Sequence, residues 1–303
     1  MCNNHAISLS QKGTLLAYTL HEKHLTIMKR FYTFALCLLA LMTACNDDDD
    51  SVKVPDAVTT SFDTMYPSAR LDGWLTWRGF MVADFELNGA DHQAWYDKSG
   101  RWYMTDSEID YRSLPAAVRT AYQNSAYSSG WEIDDMEELA RAEMDTIYII
   151  EIWQLRSQLD LYYTSNGVLV DTEPYGYGDP TIWVPATVPS AVKGYLDSNY
   201  AGYSMIQIVV DSGMTAAIIN YNQSALSVQF DSTYKWLRTV ETISEGDVPE
   251  PVMSALAGSE YSAYIIRAIS RTIDSTGETY TFALTNGTRN VTLRISAEGS
   301  IIK

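Results

Sequence analysis

The stretch "VPDAV" (54–58) returns in three variants, "LPAAV" (114–118), "VPSAV" (188–192) and "VPEPV" (248–252). Each copy has an aliphatic residue, a proline, two variable residues and a valine, and successive copies start 60, 74 and 60 residues apart. A tyrosine follows twelve or thirteen residues after the start of each copy, at Tyr66, Tyr127, Tyr200 and Tyr261. Self-similarity at such a period indicates a repeated structural unit, so the sequence predicts four copies of one unit.

Each copy of the pattern predicts the start of a short helix. Proline is tolerated in the first helical turn, because the N–H that it lacks would have no partner there. Apolar residues spaced i, i+4 then give each helix one apolar stripe. A helix of roughly 12 residues is marginal alone, so the stripe is expected to dock on another element. The stripe residues are Val58/Phe62, Val118/Tyr122, Val192/Leu196 and Val252/Leu256.

The residues after each predicted helix have the composition of β-strands. Runs rich in β-branched and aromatic residues are separated by Asn-Gly, Ser-Gly or Thr-Gly, which is typical of antiparallel hairpins. Each unit is therefore predicted to be one helix covering one face of about four antiparallel strands, an α+β fold. The predicted strands are "RGFMVADFEL", "HQAWYD" and "RWYMT" in the first copy, "DTIYIIEIWQL", "QLDLYYT" and "VLVDT" in the second, "SMIQIVV", "MTAAIINY" and "LSVQF" in the third, and "AYIIRAISRTI", "ETYTFAL", "RNVTLRI" and "SIIK" in the fourth.

A loop-like stretch interrupts the repeats. "TEPYGYGDPTIWVPATVP" (172–189) contains four prolines and two glycines, and it accounts for the longer middle spacing. Pro and Gly at this density favour a linker. The sequence thus predicts two domains of ordinary size, each with two repeats. The expected boundaries are domain 54–175 with repeats 54–113 and 114–175, linker 176–185, and domain 186–303 with repeats 186–247 and 248–303.

The repeated unit resembles that of the PepSY-like family of secreted Bacteroidetes proteins. "YPSA" (66–69) is the best match to the family motif, whereas the other three copies lack the proline after the tyrosine. This family is similar to the β-lactamase-inhibitor-protein fold, in which two such units join their sheets side by side. The resemblance covers nearly all of 54–303. Its motifs are structural, so it implies a fold and no catalytic residue.

A targeting pattern precedes the first repeat. "MKRFYTFALCLLALMTAC" (28–45) has a basic start, an apolar run and small residues before a cysteine, as signal peptides do. The apolar run is shorter than the roughly 20 residues that a membrane-spanning helix needs. The pattern resembles a bacterial lipoprotein signal (28–44) whose lipobox ends at Cys45, although Met42 stands where leucine is commonest. Residues 1–27 carry no signal feature, so Met28 is the expected start and 1–27 a mis-called extension.

An acidic run follows the cysteine. Asn46, Asp47, Asp48, Asp49 and Asp50 resemble the export tag that sends Bacteroidetes lipoproteins to the outer surface of the outer membrane. Adjacent like charges favour an extended, solvated tether, here 45–53, and a plain acidic linker is the alternative. The expected protein is an outer-membrane lipoprotein held in lipid by an acylated Cys45. Display on the cell surface is favoured, with a periplasm-facing position as the alternative.

Composition excludes several classes of function. The chain has 303 residues, of which 46% are hydrophobic, and a formal net charge of −17. A nucleic-acid partner is not expected, because phosphate binding needs basic patches. The cysteines are Cys2, Cys37 and Cys45, so the repeats have neither a disulfide framework nor a cysteine zinc site.

Catalytic motifs are not found. After the predicted cleavage His92 is the only histidine, and serine catalysis would need it beside an orienting carboxylate. The sequence contains no phosphate-binding or dinucleotide loop. "DDMEEL" (134–139) lacks the glycine turn and ligand spacing of a calcium loop. We therefore expect no cofactor, no metal and no enzyme activity.

Paired carboxylates are the remaining chemical feature. Asp84 and Glu86 are expected to share one strand face, as are Glu132 and Asp134. Such pairs can hydrolyse glycosidic bonds. In an acidic protein they are more often solvated residues of a polar face, so a carboxylate-dependent hydrolase ranks last.

Aromatic residues give the one positive indication of function. Adjacent strand residues point to opposite faces, so one member of each aromatic pair is expected on the face away from the helix. An exposed aromatic patch suits a protein or glycan partner. The alternative is that the rings form cross-strand pairs or pack against a neighbouring repeat. The candidate contacts are Trp74, Trp77, Trp95, Tyr96, Trp102 and Tyr103.

Two functional hypotheses follow. The first is a non-catalytic surface lipoprotein that binds an unknown protein, as the inhibitor fold implies by resemblance. The second is a glycan-binding accessory lipoprotein that stacks sugars on tryptophan and tyrosine.

Overall fold

The computed structural model describes residues 52–155, 157–174 and 183–302. The predicted signal peptide, the predicted lipidation site Cys45, the predicted acidic tag and most of the predicted linker lie outside these residues. The chain divides into two compact units, the first centred on β1–β8 and the second on β9–β16.

The first unit has two helices and one sheet of eight antiparallel strands, in which each strand pairs with its sequence neighbours. Within the unit, one helix and four strands occur twice in succession. The elements are α1 (Asp56–Met65), β1 (Arg70–Trp77), β2 (Phe80–Leu87), β3 (Ala90–Tyr96), β4 (Trp102–Glu108), α2 (Ala116–Asn124), β5 (Glu132–Arg141), β6 (Ile147–Gln154), β7 (Ser157–Thr164) and β8 (Leu169–Pro174).

The second unit repeats this plan with its own eight-stranded antiparallel sheet. The predicted α+β fold of helix-plus-four-strand repeats is thus confirmed. The elements are α3 (Ser190–Asn199), β9 (Ser204–Asp211), β10 (Met214–Tyr221), β11 (Ser224–Phe230), β12 (Trp236–Ile243), a 3₁₀ turn (Glu245–Asp247), α4 (Glu250–Ala257), β13 (Ile265–Asp274), β14 (Gly277–Thr285), β15 (Asn290–Ser296) and β16 (Ile301–Ile302).

Each helix begins just after the repeat proline, which was predicted to lie in the first helical turn, and is shorter than the roughly 12 residues predicted. The repeat proline is the N-cap in each case, with extended backbone such as φ −63° and ψ 143° at Pro55. The other caps are Pro115, Pro189 and Pro249, and the helices span 8–10 residues. All eight predicted stripe residues are buried, from 0% exposure at Val58 to 7% at Leu256. The stripes therefore dock on the sheets as expected.

Helices α1, α2 and α4 each pack on a hydrophobic cluster formed by one face of the sheet. Phe62 of α1 contacts Phe85 edge-on, with ring centres 5.1 Å apart. Leu161 and Tyr163 belong to the cluster under α2, and Phe282 and Ile295 to that under α4.

A turn glycine lies against the first turn of the helix in three repeats. A Cβ added to Gly100, which has φ +86°, would come 2.4 Å from the Ala57 carbonyl oxygen. Only glycine combines this backbone conformation with so close an approach. The same holds for Gly167 against Ala117 and for Gly299 against Pro251.

Polar contacts show that the first repeat matches the third and that the second matches the fourth. The Tyr66 hydroxyl lies 2.5 Å from Thr105 Oγ1, and the Tyr200 hydroxyl lies 2.6 Å from Thr239 Oγ1. In the second and fourth repeats a serine instead closes the helix end, where Ser125 Oγ and Ser259 Oγ each donate to a helix carbonyl at 2.7 Å. The two units are therefore copies of one two-repeat module.

Candidate functional site

The face of the first sheet opposite α1 and α2 is lined with carboxylates. Side chains alternate between the two faces along each strand, and residues directly opposite on paired strands share a face. The strand register therefore places twelve acidic residues on this side. We call it the acidic face: Asp84, Glu86, Asp91, Asp106, Glu108, Glu132, Asp135, Glu137, Glu151, Asp160, Asp171 and Glu173.

Four of these carboxylates form a row across consecutive strands. Asp135 of β5 is opposite Glu151 of β6, which is opposite Asp160 of β7, which is opposite Glu173 of β8. A neighbouring pair, Glu108 and Glu137, extends the charge toward β4. Like charges directly opposite each other destabilise a sheet. We call the four residues the carboxylate row.

Burial and mutual repulsion hold these carboxyl groups partly in their neutral form. Desolvation raises the pKa of Asp160 to about 7. Desolvation, with the nearby charges of Asp135 and Asp160, raises the pKa of Glu137 to about 7. Desolvation, with the nearby charges of Glu137 and Asp160, raises the pKa of Glu151 to about 8. Desolvation also raises the pKa of Asp106.

Asp160 is the most enclosed member of the row. The residue is 6% exposed, and its Oδ1 atom has no hydrogen-bond partner among the described residues. A buried oxygen without a donor costs free energy. This oxygen is therefore a position at which a ligand could supply a missing hydrogen bond.

Few cations offset the acidic face. Arg70 pairs with Glu86 at 2.5 Å, at the β1 edge. Arg141, at the end of β5, is buried and donates from Nε to the Asp145 carbonyl at 2.8 Å. In the described part of the chain, no lysine or arginine forms an ion pair with Asp135, Glu151 or Asp160. These three carboxylates therefore keep their negative charge whenever they are ionised.

An aromatic pair lies beside the row. The ring of Tyr162, two residues after Asp160, stacks on Trp183 with centres 5.2 Å apart. The Arg141 guanidinium lies 5.5 Å from the centre of the Trp183 ring. Burial lowers the pKa of Arg141 to about 10. This end of the face is closed, while Trp153 at the opposite end is 38% exposed.

The six predicted aromatic contacts are divided between the two faces. Trp74, Tyr96 and Trp102 pack with the α1 cluster. The other three lie on the side of the acidic face: Trp77 opposite Phe80, Trp95 opposite Val82 and Met104, and Tyr103 against the Phe80 ring at 5.3 Å.

Exposure separates these rings further. Trp95 is 2% exposed and Tyr96 is 0% exposed, because both are enclosed by the chain itself. Trp77 and Tyr103 keep partial exposure. A partner-binding role for the six residues stays a prediction, and only the less enclosed rings offer surface for it.

The remaining candidates for chemistry have structural surroundings. His92 lies on the helix-covered side, where Nδ1 is 2.8 Å from Ser107 Oγ and the ring stacks on Phe85. Asp84 and Glu86 share the acidic face, as the alternation predicts. A register shift between Ile133 and Asp135 breaks the alternation that was used for Glu132 and Asp134.

Metal binding finds no support in this arrangement. Within residues 52–155, 157–174 and 183–302, no group of three or more His, Cys, Asp or Glu side chains converges closely enough to hold an ion. The segment 134–139 lies within β5 rather than in a loop.

The corresponding face of the second sheet has different chemistry. From β10 to β16, the strand register places Asp274 as the one carboxylate on it, and this residue accepts from the Thr276 N–H at 2.7 Å in a turn. A pocket of about 330 Å³ beside β14 and β15 is lined by Arg267 and neutral residues. The residues that dominate this face are Ser227, Arg238, Thr242, Ser270, Thr272, Thr279, Thr281, Thr292 and Arg294.

Comparison with known families identifies this architecture. The chain matches the beta-lactamase-inhibitor-like, PepSY-like family over residues 80–171 and 213–303, together more than half of its length. Each match covers most of one eight-stranded sheet. The chain belongs to the PepSY-like family.

Solved structures from Bacteroides are similar to parts of the chain. A BLIP-like protein from Bacteroides fragilis NCTC 9343 is 29% identical, with a TM-score of 0.41 and coverage of 46% of this chain and 100% of that chain. A DUF2874 family protein from Bacteroides ovatus ATCC 8483 is 25% identical, with a TM-score of 0.40 and coverage of 43% and 97%. No curated protein matches the chain. Among the described residues, no helix has the length and apolar character needed to span a membrane.

Proposed function

We propose that the chain is a non-catalytic binding module that holds a protein partner on the acidic face of its first sheet. The observation that carries the proposal is the carboxylate row, whose buried Asp160 has an oxygen without a donor. Membership of an inhibitor-like family supports binding rather than catalysis. In proteins, desolvated charges with matched partners contribute specificity and association rate.

The proposed location is the cell envelope, with the module tethered as a lipoprotein through Cys45 and displayed outward by Asp47–Asp50. The signal pattern and the acidic run of the sequence support this. Labelling of cells with an alkyne-bearing fatty acid tests the anchor. We expect label on the wild type and on Cys37→Ser, and none on Cys45→Ser. Equal labelling of both variants would refute the lipoprotein proposal.

Site-specific photo-crosslinking on intact cells tests the binding proposal. A crosslinking amino acid at Gln93, on the acidic face in β3, is compared with one at Gln229, on the corresponding face in β11. We expect a discrete protein adduct from position 93 and little from position 229. No protein adduct from position 93, or equal adducts from both positions, would refute the proposed binding surface.

A further inference from the structure

The shape of the carboxylate row favours an extended ligand over a point charge. Adjacent strands lie about 4.8 Å apart, so a row across four strands spans roughly 14 Å. A calcium ion needs its oxygen ligands to converge at about 2.3–2.6 Å. No described group of carboxylates converges in this way. Cations distributed along a chain therefore match the row better than one bound ion.

The chemistry of the row favours charged hydrogen-bond donors. The Asp160 oxygen without a partner needs a donor, and its neighbours Glu151 and Glu173 are themselves acceptors when ionised. Lysine ammonium and arginine guanidinium groups supply donors and positive charge together, and hydrogen bonds to ionised groups are the stronger ones.

We infer that the protein partner presents a basic, extended segment to the carboxylate row, an inference that rests on the proposed protein-binding function. In an extended segment, alternate side chains share one face and lie about 6.6 Å apart. Two or three lysines or arginines at alternate positions therefore cover the row from Asp135 to Glu173.

Peptide binding to the full chain tests the inference. The probe is a peptide of alternating lysine and serine, and the comparison peptide has glutamate in place of lysine. The row variant combines Asp135→Asn, Glu151→Gln and Asp160→Asn. The matched-charge control neutralises three exposed acids elsewhere, with Asp63→Asn, Asp211→Asn and Glu250→Gln.

We expect the wild type to bind the lysine peptide and not the glutamate peptide. The row variant should bind at least about tenfold more weakly, because paired charges at an interface are lost, while the control stays within about twofold. Equal weakening of both variants would show that only the net charge of −17 attracts the peptide, and would overturn the inference. Tight binding of Ca²⁺ that the row variant loses, without peptide binding, would also overturn it.

The two proposals fail in different ways. A protein adduct at position 93 whose yield is the same in the row variant keeps the proposed function and overturns the basic segment. Peptide binding that depends on the row, without any protein adduct on cells, keeps the recognition of a basic segment and overturns the proposed function. Amide substitutions keep the size of each side chain, so near-ultraviolet circular dichroism of the row variant should match the wild type.

Discussion

The two units of this protein have the same helix-covered side and different opposite sides. Val58 and Val192 are both fully buried at equivalent positions, and the Tyr66–Thr105 contact of the first unit recurs as Tyr200–Thr239 in the second. The opposite face carries twelve carboxylates in the first sheet, whereas on β10–β16 it is dominated by serine, threonine and arginine. The helix-covered sides of the two units are therefore alike, and the opposite sides differ in charge.

The acidic face also carries buried apolar residues, among them Trp95 and Leu139, so it contributes to stability as well. The row of like charges on the same face is locally unfavourable. Such unfavourable local choices are expected at functional sites.

The largest expected effect tests whether the helix-covered sides are equivalent. Phe62→Ala in α1 and Leu196→Ala in α3 remove equivalent buried side chains, exposed by 3% and 0%. The expected cost is about 3–5 kcal/mol for phenylalanine and about 2–5 kcal/mol for leucine. Urea unfolding followed by tryptophan fluorescence measures both. If one substitution were silent, the two units would not share one mode of stabilisation.

A pH dependence of stability should arise from the first unit. The raised pKa values of Glu137, Glu151 and Asp160 mean that the folded state binds protons more tightly than the unfolded state. Their destabilising effect is therefore absent below the unfolded pKa values near 4 and grows until pH passes the folded values of about 7 to 8. We expect the free energy of unfolding to be lower at about pH 8.5 than at about pH 5, by on the order of 1–3 kcal/mol.

Two variants test which carboxylates cause this pH dependence. Glu151→Gln combined with Asp160→Asn should flatten the profile between about pH 5 and 8.5. Asp231→Asn in the second unit should leave the slope unchanged, because hydrogen bonds from Thr233 and Lys235 lower the pKa of Asp231 and keep it ionised throughout this range. An unchanged slope in the first variant would mean that the carboxylate row is not its source.

The smallest expected effect concerns the matched tyrosines. Tyr66→Phe and Tyr200→Phe each remove one hydroxyl contact to a threonine while leaving the ring in place. Each should cost about 0.5–1.5 kcal/mol, the usual net value of one hydrogen bond, and the two costs should agree. Thermal unfolding measures them. A difference of more than about 1 kcal/mol would show that the two contacts are not equivalent.

Features that depend on local pattern could be predicted from the sequence. The repeat proline, the i, i+4 stripe and the turn glycines predict the helices and most strands, because propensity and periodicity act within one repeat. Strands β1 and β5 were not among the predicted runs, and neither was β12. It carries Glu241 on the helix-covered side, where this residue pairs with Arg271 of β13 at 2.5 Å. A charged residue on the helix-covered side needs such a partner on the neighbouring strand.

The carboxylate row could not be predicted for the same reason. Acidic pairs that the sequence predicts, such as Asp84 and Glu86, are neighbours along one strand. Asp135, Glu151 and Asp160 are separated along the chain and meet only through the register of β5, β6 and β7. That register includes a bulge near Ile133, which no local sequence pattern predicts.

Titration of the side-chain carboxyl carbons by NMR tests the central claim most directly. We expect two separate populations of acids, one on the acidic face and one elsewhere in the chain. Glu137, Glu151 and Asp160 should titrate at about 7 to 8, and Asp97 and Asp231, whose pKa values are lowered by hydrogen bonds from neighbouring residues, should titrate below the usual range. Titration of every carboxyl group near pH 4 would contradict the account, because the face would then be an ordinary solvated surface.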